Sequence, residues 1–247
     1  MFDFLKNHLF GVEAFFERSL VLTYALPQEQ LATLIPPCLT LDTFQDKWAF
    51  VAVAMVQTKG LRPKGFPAFM GNDFFLIGYR VFVRYQSQTG RNLRGLYILK
   101  SETDKPKMQL MGNTFTHYDY STTDITQQAN EPYLEVSSQK SKLSIKVNLA
   151  EEATNLPSAS PFDSWKEARR FAGPMPFTFT YLPQKKQVIL IEGVRQNWRP
   201  RAVEVINHEV GFLEQRGFAN AQLANAFVIE NVPYFWKKGR IELWKSL

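Results

Sequence analysis

The sequence predicts a mostly β (α+β) fold, an antiparallel β-barrel with a few short helices around an interior pocket. Period-2 runs recur at short, even spacing along the chain, which suits a barrel or sandwich. One of them, Trp48 to Val56, is apolar on both alternating faces, so it belongs in the middle of a covered sheet. Aromatic residues reach 14%, with 21 Phe, and a barrel of about ten strands with that content encloses room for a small ligand.

Taken in order, Arg18 to Leu26 reads as a strand. Pro27 to Ile35 reads as a short helix started by one proline and stopped by Pro36-Pro37. Trp48 to Thr58, Phe74 to Tyr85 and Gly95 to Glu102 read as strands, Lys105 to Met111 as a short helix and Phe115 to Ser121 as strand again. Tyr133 to Val136 and Leu143 to Leu149 frame a hairpin. Phe162 to Phe171 is a surface helix with Asp163 or Ser164 as N-cap and Gly173-Pro174 past its end. Strands at Phe177 to Tyr181, Gln187 to Arg195, Ala202 to Val205 and Ala224 to Val232 complete the series.

All 247 residues read as one domain, because no repeat or low-complexity linker divides them. Hydrophobic residues make up 45% and charged residues 21%, which excludes a disordered chain. The net charge of +6 is spread in doublets such as Arg169-Arg170 and Lys185-Lys186, with no basic stripe and no nucleic-acid-binding motif, so it reads as solvated surface. The single cysteine, Cys38, reads as a core filler in a reducing compartment. The N-terminus lacks the features of a secretory leader, and the longest apolar run is far short of the ~20 residues of a membrane span. A cytoplasmic protein without a membrane partner is expected, with Phe2, Leu5 and Leu9 packing a short helix on the domain. The sequence has no dinucleotide fingerprint, phosphate loop, nucleophile elbow or Cys-x-x-Cys, and its three histidines are far apart. Neither a metal nor a cofactor is expected.

A few polar residues fall in phase with apolar ones. On a strand through Tyr118, His117 shares a face with Phe115 and Asp119, and a histidine beside a carboxylate suits a general base; a hydrogen-bonded structural histidine is the alternative. Arg80 and Arg84 share a face with Phe82, and facing inward Arg80 offers a planar fork for a carboxylate. Glu192 is in phase with Val188 and Leu190, so it must be paired or protonated; Arg195 lies on the opposite alternation past Gly193. Lys100, in phase with Leu96 and Ile98, is the one nominee for a Schiff-base amine, against snorkelling to the rim.

Several blocks also carry a resemblance. Leu31 to Pro37 with Leu39-Thr-Leu-Asp42, Gly60-Leu-Arg-Pro63, Tyr79-Arg80-Val81-Phe82-Val83 and Gly95-Leu-Tyr-Ile-Leu99 come in the order of a bacterial family of unknown function whose fold is similar to acetoacetate decarboxylase. Phe171-Ala-Gly-Pro174, Glu192-Gly-Val-Arg195 and Leu223-Ala-Asn-Ala226 resemble one branch of it, so the resemblance runs from about Arg18 to Arg240. It implies a cone-shaped antiparallel barrel with a closed cavity, gives Arg80 a place in that cavity and suggests Asn113 and Asn225 as pocket walls. It does not bring the decarboxylase chemistry. The enzyme's paired lysines would fall where this chain reads Gly112-Asn-Thr-Phe-Thr-His-Tyr118, and the glutamate that many relatives carry before the Val-Arg pair where this chain reads Leu76-Ile77-Gly78.

The expected function is a small-molecule binding protein or enzyme whose ligand is apolar with a carboxylate or carbonyl head. His117 and Asp119 are candidates for catalysis, and Arg80, Asn113, Glu192, Arg195 and Asn225 for binding. The alternative is a non-catalytic module whose basic surface recruits an acidic partner or nucleic acid. Homo-oligomerisation stays open.

Overall fold

A computed structural model describes residues 3–244 apart from 197 and 219; Phe2 lies outside the described residues. After a 3-10 turn at Asp3–Asn7 the chain forms β1 (Val12–Pro27), α1 (Gln28–Ala32), β2 (Thr40–Leu41), β3 (Trp48–Pro63), β4 (Asn72–Gln86) and β5 (Asn92–Thr103). Then come α2 (Pro106–Phe115), β6 (Tyr120–Thr122), β7 (Thr126–Asn130), β8 (Tyr133–Ser138), β9 (Leu143–Asn148) and α3 (Trp165–Ala172). The last part holds β10 (Phe177–Leu182), β11 (Gln187–Arg195), β12 (Arg201–Ala202), β13 (Glu204–Val210), α4 (Gly211–Gln215), β14 (Gln222–Trp236) and β15 (Arg240–Leu243).

Seven strands hydrogen-bond in a closed ring, β14-β1-β3-β4-β5-β10-β11, with β11 returning to β14. All junctions but one are antiparallel. β10 runs parallel to β5 over Phe177–Phe179, a departure from the all-antiparallel expectation that follows from α3 crossing back between them. A second, four-stranded sheet in the order β13-β9-β8-β7 covers the outside of the ring.

β3 shows what holds these layers together. Its residues Val51, Val53 and Met55 pack outward with Leu20 and Leu22 of β1, Ile77 of β4, and Val136, Ile145 and Val147 of the second sheet. Phe50, Ala52, Ala54 and Val56, on the other alternation, belong to clusters inside the ring. The double-faced apolar run is therefore a strand with a sheet on one side and an interior on the other. Full burial of each large aliphatic side chain stabilises the fold by roughly 1.5–3 kcal/mol.

Three sequence expectations shift. The strand read through Phe115 to Ser121 is instead the end of α2, an irregular turn with Asp119 at φ 48° and a three-residue strand. Thr116 closes the helix, its amide donating to the Gly112 carbonyl at 2.8 Å. Lys100 loses its phase to a β-bulge: Tyr79 pairs with Lys100 but Arg80 with Ile98, which leaves Leu99 as the extra residue. The bulge swaps faces, so Ser101 lines the interior while Lys100 turns away and pairs with buried Glu102 at 2.7 Å. Finally, α3 starts at Trp165 rather than Phe162, behind Ser164, one of the two expected N-caps, whose hydroxyl accepts from the Glu167 amide at 3.2 Å.

Ile145 tests the layering, being 1% exposed between the second sheet and the ring. Ile145→Ala should lower stability to urea by about 2–5 kcal/mol; a loss below about 1 kcal/mol would mean that the second sheet does not pack on the ring.

Candidate functional site

The ring encloses a cavity of about 490 Å³. Its wall is mostly apolar because the inward alternation of the strands is apolar: Val21 of β1, Ala52 and Ala54 of β3, Phe82 of β4, Leu96 of β5 and Phe227 of β14. Leu9, Phe10, Phe66 and Met70 line it and are also exposed outside, so they mark its mouth. Three segments meet there. The Lys64 amide donates to the Gly11 carbonyl at 2.9 Å, and the Phe10 ring lies edge-on to Phe115 of α2 with centroids 6.1 Å apart. Leu5, on the 3-10 turn, thus packs on the domain as expected, whereas Leu9 lies past that turn, partly exposed at the mouth.

Arg80 reaches into this space from the middle of β4. Its Nε is buried without a hydrogen-bond partner, and no Asp or Glu lines the cavity among the described residues. Burial pushes the guanidinium below its ordinary pKa; Tyr234, Tyr120 and Tyr118 oppose that shift, and nearby Arg195 adds to it. An arginine stays protonated through such a shift, so the cation is real. Gly78, two residues back on the same face, makes the space. A Cβ there would come within 2.8 Å of Arg80 Nε.

The same strand face gives the contrast. Arg84 donates to buried Asp42 at 2.7 Å, and Asp42 also accepts from Arg94 at 2.6 Å. Arg84 is held in a structural ion pair that it shares with Arg94; Arg80 has no such carboxylate.

Phenols surround the Arg80 fork. Tyr118 is raised well above its usual pKa, chiefly by burial, and Tyr120 is pushed up to about 12 by burial although Arg80 pulls the other way. Both stay protonated at neutral pH. Tyr234 fits because residue 193 is glycine; a Cβ there would collide with its hydroxyl. Arg195, at the end of β11, also lines the cavity. It lies 4.6 Å from the Trp198 ring and 5.6 Å from the Tyr234 ring, donates to the Met175 carbonyl, and keeps a buried Nε without a partner.

The other candidates are dispersed. Glu192 lies outside the lining and accepts from Lys237 at 2.9 Å. Asn113 clamps Tyr120, donating to its carbonyl and accepting from its amide, both at 2.8 Å. Asn225 is not in the lining; it is fully buried opposite Thr23, two residues along β1 from the lining residue Val21, with neither side-chain polar atom bonded. His117 is not in the lining but stands close enough to His8 to bear on its charge, and Asp119 is exposed. The shared strand face that joined His117 to Asp119 is missing, because the turn before β6 breaks the alternation.

The sequence reading missed His8, Tyr234 and Lys107. His8 comes from the N-terminal segment, where its carbonyl accepts from the Gly239 amide at 2.8 Å and its ring lies 5.5 Å from Tyr118. Tyr234 lies past Val232, where the strand was expected to end; the alternation resumes beyond Pro233. Lys107 lines the mouth at the start of α2, so an amine is present at the opposite end of that helix from the stretch searched for one. Among the described residues no three His, Cys, Asp or Glu side chains gather into a metal site.

A model of the DUF2071 family, described as an uncharacterised conserved protein, matches residues 14–238. No curated protein matches the chain. Among solved structures the chain is similar to an acetoacetate decarboxylase-like enzyme from Sphingomonas wittichii RW1, at 13% identity and TM-score 0.57 over 96% of this chain and 93% of that one. Acetoacetate decarboxylase from Legionella pneumophila is also similar, at 10% identity and TM-score 0.57, with 94% and 86% covered. So is the enduracididine biosynthesis enzyme MppR complexed with pyruvate, at 9% identity and TM-score 0.57, with 94% and 89% covered. At such identities the likeness is one of fold.

Burial, with His117 adding to it, lowers the His8 pKa from 6.5 to about 4. The unfolded chain then binds a proton at His8 more readily than the folded one. The stability is complete above pH 6.5 and is lost as pH falls toward 4, by about 3 kcal/mol in all. Urea unfolding at pH 7.5 and 4.5 should show a smaller loss in His8→Phe than in the wild type; equal losses would place His8 outside the enclosed site.

Proposed function

Since the chain belongs to DUF2071 and shares the acetoacetate decarboxylase-like fold, we propose that its interior cavity binds a small organic acid, with the anionic head on Arg80 and an apolar tail along the ring wall. The observation that carries this reading is the Arg80 guanidinium, enclosed without a carboxylate in a cavity that no acidic residue lines among those described. A cation taken from water without a partner costs several kcal/mol, and a carboxylate bound bidentately offsets that cost. The volume of about 490 Å³ is in the range of small-molecule sites. Tyr118, Tyr120 and Tyr234 supply donors beside the head, and Asn113 acts at one remove by fixing Tyr120. His117, outside the lining, acts in this reading on His8.

Other readings have less support. A Schiff base needs an enclosed amine, whereas Lys107 is exposed at the mouth and Lys100 is paired with Glu102 away from the cavity. An acidic partner would need a free basic face. Arg18, Lys146 and Lys237 are matched by Glu230, Glu135 and Glu192, and the remaining basic residues are spread along the chain in doublets rather than gathered in one run.

Octanoate is a suitable probe. Arg80→Met, which keeps the volume and removes the charge, should weaken octanoate binding at least about 30-fold by titration calorimetry, as expected for one partner lost from an enclosed pair. Its thermal midpoint should stay level or rise, because an uncompensated cation has gone. Octanoate affinity that survives the substitution would overturn the assignment.

A further inference from the structure

We infer that the head group held in this cavity carries two negative charges, because two guanidinium groups, Arg80 and Arg195, face one enclosed volume. The inference rests on the organic-acid reading above and specifies its substrate class. Four cations line the cavity: Arg62, Arg80, Lys107 and Arg195. Arg62 is answered by Glu13 at 2.7 Å, and Lys107 is in water at the mouth. The two that remain sit in one head-group region, joined through Tyr234, whose ring is 5.6 Å from the Arg195 guanidinium and whose hydroxyl is also part of the Arg80 surroundings.

Arg195 has partners, but none of them is an anion. It gives a bond to the Met175 carbonyl and lies over the rings of Trp198 and Tyr234, neither of them a carboxylate. The nearest acid along the strand, Glu192, faces the other way and is taken by Lys237. Gly193 between them makes room for the Tyr234 hydroxyl rather than for a side chain. A singly charged ligand on Arg80 would leave Arg195 uncompensated beside it, and like charges in a low-dielectric enclosure raise one another's cost. A doubly charged head answers both at once. Two chemistries meet that requirement, a pair of carboxylates on a short spacer and a phosphate monoester, each with an apolar tail along the wall.

Three probes with the same seven-carbon tail separate the cases: octanoate with one charge, and 2-heptylmalonate and heptyl phosphate, each with two at about pH 8. Their dissociation constants are measured by calorimetry on the wild type, Arg195→Met and Arg195→Lys. At least one doubly charged probe should bind the wild type about tenfold or more tighter than octanoate, and the one that does identifies the head as dicarboxylate or phosphate. Arg195→Met should bring that ratio close to one, and Arg195→Lys should retain part of it. A wild type that binds all three probes equally, or prefers octanoate, overturns the inference and leaves the organic-acid reading standing. A ratio that Arg195→Met does not change overturns it too. If none of the three binds the wild type, the organic-acid reading itself fails. Should Arg195→Met not fold, the wild-type ratio and Arg195→Lys decide.

Discussion

A guanidinium with no carboxylate, held among apolar walls, is a constraint that many other features of this chain accommodate. It costs folding free energy, so the frame around it must supply a surplus. That frame is a ring of strands whose outer face is clamped by a second sheet, with Tyr79 stacked on Phe212 at 4.1 Å in the seam between them. Smaller adjustments serve the same end. Glycine at 78, 112 and 193 leaves room for Arg80, Tyr120 and Tyr234 in turn, and Asn113 fixes the backbone that carries Tyr120. These positions gain nothing for packing by being small; they keep a polar group at a set place in an apolar interior.

Electrostatics is sorted by location. Surface cations such as Arg18, Lys59 and Lys146 find acids nearby, and the half-buried Arg84 and Arg94 share Asp42. Inside the ring the cations outnumber the acids. Exposed pairs of this kind contribute little to stability, whereas an unmatched interior charge acts strongly on whatever enters. The net charge of +6 says nothing about this arrangement, because composition cannot separate a charge facing water from one facing the cavity.

Much of the frame was legible in the sequence, and the reason is periodicity. Trp48 to Val56 could be buried on both faces only as a covered strand, and the resemblance to an acetoacetate decarboxylase-like family agrees with the fold found. What escaped was local or distant. One extra residue, Leu99, flips Lys100 out of the cavity without leaving a mark in composition. The strand Thr126–Asn130 is wholly exposed and polar but for Ala129, so no hydrophobic pattern announces it. Arg80 and Arg84 look alike along the chain; they are told apart by Asp42, some forty residues away, which pairs with one and not the other. His8 joins the site only because the N-terminal segment folds back over the mouth.

The hairpin of β10 and β11 is joined to the ring by two short seams. Phe177–Phe179 pairs with Gly95–Tyr97 on one side and Gly193–Arg195 with Tyr234–Trp236 on the other, three residue pairs each, while β1 and β14 are paired almost end to end. Local opening follows the number of bonds that must break together. The wall carrying Arg195 is thus the compliant quarter of an otherwise continuous ring, free to open locally while β4, paired along its length on both sides, holds Arg80 in place.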